Sequence, residues 1–182
     1  LLDIVRPTMK KKEFLNNLGF LESKTTIALL PGSRRQEIEN ILPAMLKASI
    51  FIAKEIDAQF VIAKSSQVDW DIYNRQIKGL NLELKIVEGK TYDCLEAADF
   101  SLVASGTATL ETAIMQKPFC VVYKMSLLNY LFYRPQVKVP YIGMVNIVAG
   151  KKIITAYIQI GATPKKIEKA KIRISSNAHH IE

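Results

Sequence analysis

Apolar residues in this chain fall in short unbroken blocks, each followed by a stretch with helical periodicity. Residues 25–30 (TTIALL) form the first block and end at Pro31-Gly32, a turn signal. After it, Ile38, Ile41, Leu42, Met45, Leu46, Ile52, Ala53 and Ile56 recur on one helical face. Pro43 interrupts that face, so the segment is either one kinked helix or two helices, with Pro43 in the first turn of the second. The alternation then repeats. Strands are expected at 59–63 (QFVIA), 84–87, 100–103 and 118–123 (PFCVVY). Helices are expected at 69–78, with Asp69 as a possible cap, at 92–97, and at 107–115 with Leu110, Ala113 and Ile114 facing inward.

Blocks that are apolar throughout, rather than every second residue, describe strands buried on both faces. Strands alternating with helices then predict an α/β fold with a parallel sheet covered on both sides. Past Ser126 the pattern weakens. Residues 126–133 read as a helix rich in Leu, Tyr and Phe, Pro135, Pro140 and Gly143 mark irregular chain, and Thr163-Pro164 reads as a helix start.

Composition narrows the classes. The 182 residues suffice for one domain with a sizeable core, and 49% hydrophobic with 23% charged residues is ordinary for a globular protein. The net charge of +8 favours an anionic partner. The lysines are scattered, apart from short groups such as 10–12 and 165–166, and read as a solvated basic surface. No zinc-ligand spacing or aromatic RNA-binding motif accompanies them, so no nucleic-acid partner is expected. Cys94 and Cys120 sit in apolar segments without a secretory signal and are expected to be buried free thiols in a reducing compartment. No apolar run is long enough to span a bilayer. The chain opens at Leu1 without Met, and a fragment of a longer protein is expected.

Two strand-to-helix loops carry candidate chemistry, because ligands of such sheets sit beyond the carboxyl ends of the strands. In Pro31-Gly32-Ser33-Arg34-Arg35, Gly32 allows close backbone approach, Ser33 can cap a helix or donate to phosphate, and Arg34 offers a planar fork. The same string can equally be a tight turn with Ser33 as cap and two solvated arginines. In residues 105–111 (SGTATLE), Gly106 and Thr107 can approach a phosphate, and Glu111 can accept hydrogen bonds from two ribose hydroxyls. Read alone, Glu111 would do no more than complement the helix dipole, worth about 0.3–1 kcal/mol. Taken together, the loops suit a nucleoside diphosphate.

Other residues carry less. His179 and His180 belong to a tail, no metal is expected, and no Ser-His-Asp or Cys-His set can be assembled. Asp93, Glu96 and Asp99 read as a solvated helix face. Trp70 and the Tyr130, Phe132, Tyr133 group read as core or interface.

The segment ALLPGSRRQEIENILPAMLKA resembles the strand, loop and helix of lipid-A-disaccharide synthases. SLVASGTATLETAIMQKPFCVVYKMS, KVPYIGMVNIVAGKKI and GATPKKI resemble three further stretches of that family, and LLDIVRP resembles the link into its second domain. The resemblance runs in order over residues 1–173. It implies one Rossmann-like half of a two-domain (GT-B) glycosyltransferase, the half that holds the UDP portion of a UDP-sugar donor.

Carried over by motif, Gly32, Ser33 and Arg34 would contact the pyrophosphate. Gly106, Thr107 and Glu111 would hold the nucleotide, with Glu111 on the ribose, and Asn146 would stand near the donor. The family moves a diacylglucosamine from UDP to the 6-hydroxyl of a diacylglucosamine 1-phosphate in lipid A biosynthesis, without cofactor or metal. It works in the cytoplasm at the inner-membrane surface. The base and much of the acceptor site belong to an N-terminal half, so this chain alone is expected to be inactive.

The implied organisation is a linker and lead-in helix at 1–24, a nucleotide-sugar-binding domain at 25–173 and a tail at 174–182. Three departures stand out: Arg134-Pro135 where the family has Lys-Arg, Met144-Val145 before Asn146 where it has Leu-Pro, and Thr155-Ala156 where it has Pro-Glu. Two other classes stay open: a non-catalytic module in which Leu127 to Phe132, with Tyr133, Arg134 and Lys138, meets a membrane or partner chain, and a UDP-sugar epimerase on the same fold.

Overall fold

The computed structural model describes residues 5–123 and 156–158. Asn146, the segment 126–133, the Arg134-Pro135 departure and the histidine tail lie outside the described residues.

The described elements run α1 (Lys11–Leu18), β1 (Thr25–Leu30), α2 (Arg35–Glu55), β2 (Ala58–Lys64), α3 (Trp70–Ile77), β3 (Leu84–Glu88), α4 (Thr91–Ala97), β4 (Phe100–Ala104), α5 (Thr107–Ile114), β5 (Phe119–Tyr123) and β6 (Ala156–Ile158). The strands form one sheet in the order β3-β2-β1-β4-β5-β6, and every neighbouring pair is parallel. The expected α/β parallel sheet is therefore what the chain builds. Apolar continuity follows position in the sheet: β2 and β4 are buried at every residue, whereas the edge strand β3 is only partly covered.

Alternate side chains of β1 point to opposite faces and found two cores. Ile27 and Leu29 join α2, α3 and the matching residues of β2 and β4 in one. Ala28 and Leu30 join Phe14 and Leu15 of α1, Cys94 and Leu95 of α4, and Val103 in the other. On α2, Ile38, Leu42 and Met45 are fully buried, each contributing roughly 1.5–3 kcal/mol of burial.

Pro43 neither ends α2 nor starts a second helix; it lies inside one continuous helix. On α5 the expected inward residues Leu110, Ala113 and Ile114 are only half-buried, and Thr109 and Thr112 are the buried ones. Their hydroxyls donate to the carbonyls of Gly106 and Ala108, both at 2.7 Å, so burial leaves neither unsatisfied. Asp69 stands at the start of α3, but its side chain makes no capping bond. Cys94 and Cys120 are free and buried, as expected. Burial pushes the Cys94 thiol up to about 12 and raises that of Cys120 as well.

Candidate functional site

Strand order fixes where a ligand can sit. β1 and β4 are neighbours, yet the chain leaves them for opposite faces: α2 packs on one core and α5 on the other. The divergence opens a crevice at the carboxyl ends of the two strands, the switch point of a doubly wound sheet. A cavity of about 640 Å³ occupies that position. Gly32, Ser33 and Arg34 line it from the loop after β1, and Gly106, Thr107 and Glu111 from the loop after β4 and the first turns of α5. The six described candidates thus share one hollow.

In the first loop Gly32 has φ +113°, a conformation L side chains rarely adopt. Arg34, not Ser33, takes the cap position of α2. The Glu37 carboxylate folds back over the loop, and its Oε2 accepts the N–H groups of Ser33 at 3.3 Å and Arg34 at 3.4 Å. The Arg34 guanidinium, 82% exposed, lies 3.7 Å from the same carboxylate. Amides and guanidinium that suit an oxyanion therefore hold an internal one, through long and easily exchanged contacts.

In the second loop Gly106 has open space where a Cβ would sit, so nothing bars approach to its backbone. Thr107 is exposed. Glu111 is half-buried, and burial raises its carboxyl above the ordinary range. Tyr92 also lines the cavity, its hydroxyl raised by burial and then by the Glu111 charge.

Four lining residues, Lys64, Ser65, Asp93 and Arg6, carry no local signal in the sequence. Lys64, at the end of β2, is 2% exposed and bonded to Glu88 at 2.9 Å and to the Ser65 carbonyl at 3.0 Å. Its ammonium also stands 5.0 Å from the Trp70 ring, and Trp70, read as core or interface, is 42% exposed. Ser65 donates to the Ser33 carbonyl at 3.4 Å and so ties the β2–α3 loop to the first loop. Asp93, read as part of a solvated face, is buried and grips Thr8 and Met9, and Arg6 lines the cavity just ahead of them. Among the described residues no three His, Cys, Asp or Glu side chains stand together as a metal site, and no helix is long and apolar enough to cross a membrane.

A family model described as lipid-A-disaccharide synthetase matches residues 1–182. The chain belongs to the lipid-A-disaccharide synthetase family. Among members of that family, the lipid-A-disaccharide synthase of Syntrophus aciditrophicus is 43% identical over 169 residues. The match covers 92% of this chain and 44% of that protein, so the chain spans less than half the length of this curated relative. Two solved structures share the fold. Escherichia coli ADP-heptose heptosyltransferase II aligns with TM-score 0.63 at 11% identity over 93% of this chain and 52% of that one. The C-terminal domain of a glycosyl transferase group 1 family protein from Francisella tularensis aligns with TM-score 0.55 at 12% identity, over 98% and 88%. The sheet of this chain is thus a fold that both structures share.

Proposed function

We propose that this chain is the donor-binding half of a lipid-A-disaccharide synthase, holding the UDP part of a UDP-diacylglucosamine. The observation that carries this reading is the pair of loops facing one cavity across the β1/β4 switch point. Gly32 lets the backbone come close, the amides of Ser33 and Arg34 and the Arg34 fork meet the diphosphate, and Glu37 yields its place to it. Gly106 and Thr107 approach the nucleotide, and the Glu111 carboxylate accepts the two ribose hydroxyls. Asn146, by motif, stands near the donor sugar. Residues 25–173 form the nucleotide-sugar-binding unit, with α1 packed onto it and a tail beyond.

In the transfer, the 6-hydroxyl of a diacylglucosamine 1-phosphate attacks the anomeric carbon. The anomeric C–O bond to UDP breaks, and UDP leaves with the bonding pair. Fixed amides and a guanidinium stabilise the charge gathering on the diphosphate. The attacking proton goes to a base on the other half of the fold, outside this chain, and on this reading the chain alone transfers nothing. A lipid acceptor puts the working protein at the cytoplasmic surface of the inner membrane.

Calorimetric titration of UDP tests the assignment. Arg34→Ala and Glu111→Ala each remove a charged hydrogen bond, worth about 1.5–3 kcal/mol, so affinity falls by tenfold or more in each. Wild-type affinity in both variants refutes it.

A further inference from the structure

Asp93 is 1% exposed, and its carboxylate is spent on a segment far away in sequence. Oδ1 accepts the N–H of Thr8 at 2.6 Å and of Met9 at 3.0 Å, and Oδ2 accepts the Thr8 hydroxyl at 2.8 Å. Taking a carboxylate out of water costs several kcal/mol unless donors replace the water. Here the donors come from the chain ahead of α1, which is thereby fastened to α4. Val5, immediately before Arg6, is buried as well. Arg6 lies between these anchors, exposed, and lines the cavity together with Thr8 and Lys90.

The charge balance of the lining gives this placement a use. Lys64 is paired with Glu88 at 2.9 Å, and Arg34 faces Glu37 at 3.7 Å. Asp93 is occupied by the three donors above. Among the described residues no carboxylate lies within ion-pair distance of Arg6. A guanidinium on a tethered backbone that lines a cavity, with no carboxylate partner among the described residues, is suited to a phosphoryl oxyanion.

We propose that Arg6 is a further phosphate-binding residue of this cavity and that Asp93 is the residue that positions it. The inference rests on the cavity being the nucleotide site. The phosphoryl group could belong to the donor diphosphate or to the acceptor's phosphomonoester, and Arg6 recognises the chemistry the two share.

The experiment titrates the full chain by calorimetry with UDP and, separately, with glucosamine 1-phosphate. The proteins are wild type, Arg34→Ala, Arg6→Gln, Asp93→Asn and the Arg6→Gln/Asp93→Asn double variant. Arg6→Gln is exposed, so its effect is read without concern for folding. It is expected to weaken one of the two ligands about tenfold, and the ligand affected identifies the source of the phosphate. Asp93→Asn is expected to weaken the same ligand and to add nothing once Arg6 is Gln, because it acts only through Arg6.

UDP binding that depends on Arg34 while neither ligand depends on Arg6 overturns this inference and leaves the donor site standing. An Asp93→Asn effect that persists in full in the double variant overturns the positioning role. Wild-type protein that binds neither ligand overturns the donor-site reading and this one together.

Discussion

Gly32→Ala reports on the geometry of the first loop. Gly32 has φ +113°, and a Cβ built there falls 2.6 Å from Oε2 and 3.1 Å from Cβ of Glu37. A residue forced into such a backbone region costs about 1–3 kcal/mol. The Oε2 contact can be relieved by swinging the carboxylate away, but that gives up its bonds to the Ser33 and Arg34 amides. Those bonds are long, so their loss adds at most about 1 kcal/mol. The expected destabilisation is therefore about 1–4 kcal/mol.

Urea denaturation should show a lower midpoint with an unchanged slope. The double variant with Glu37→Ala removes the 2.6 Å contact and keeps both the 3.1 Å contact and the backbone strain. It should be more stable than the sum of the single changes by about 0.5–1 kcal/mol. A Gly32→Ala protein within about 0.5 kcal/mol of wild type, or a strictly additive double variant, refutes the reasoning.

Two further outcomes test other parts of the fold. Pro43→Ala restores a backbone donor inside α2 and should stabilise the protein by about 1–3 kcal/mol in thermal unfolding; a loss would mean that packing of the ring outweighs the missing bond. Glu111→Gln and Glu88→Gln should respond to pH with opposite sign. Burial raises the Glu111 carboxyl, so its ionised form carries a penalty that grows as pH rises through the raised value; Gln should be stabilising at neutral pH and close to wild type in acid. The hydrogen bond from Lys64 lowers the Glu88 carboxyl, giving stability present at neutral pH and lost as pH falls through the lowered value. Glu88→Gln should therefore be destabilising at neutral pH and near neutral in acid. Melting temperatures across the acid range decide, and equal slopes for the two variants would contradict the assignments.

The fold was legible where burial is two-sided. β2 and β4 read as strands because every position is buried, and β1 because all but Thr25 are; the same rule explains why β3, at the sheet edge, is the most polar of the strands whose burial is described. The inner face of α5 was misread for a specific reason. Threonine counts as polar in a periodicity argument, yet in a helix its hydroxyl can bond the carbonyl three or four residues back. Thr109 and Thr112 do so, and they take the interior positions assigned to Leu110, Ala113 and Ile114.

The site divides along the same physical line. Its two loops were legible because a strand end, a glycine and a helix start are adjacent in sequence, so the string itself carries the geometry. Asp93 was not, because the partners that bury it, Thr8 and Met9, come from the far side of three βα units. A carboxylate with no visible partner is correctly read as solvated; only the fold supplies the partner. Lys64 fails the same way, since its acceptor, Glu88, comes from the neighbouring strand in the register that pairs the two residues. Local strings thus specify which groups can meet an anion, and long-range polar pairs specify where those groups stand. A variant that spares both loops but releases Asp93 or Lys64 should keep the ligand chemistry and lose its placement. For that reason the tethered segment around Arg6, rather than either loop, is the part of the site most dependent on the rest of the fold.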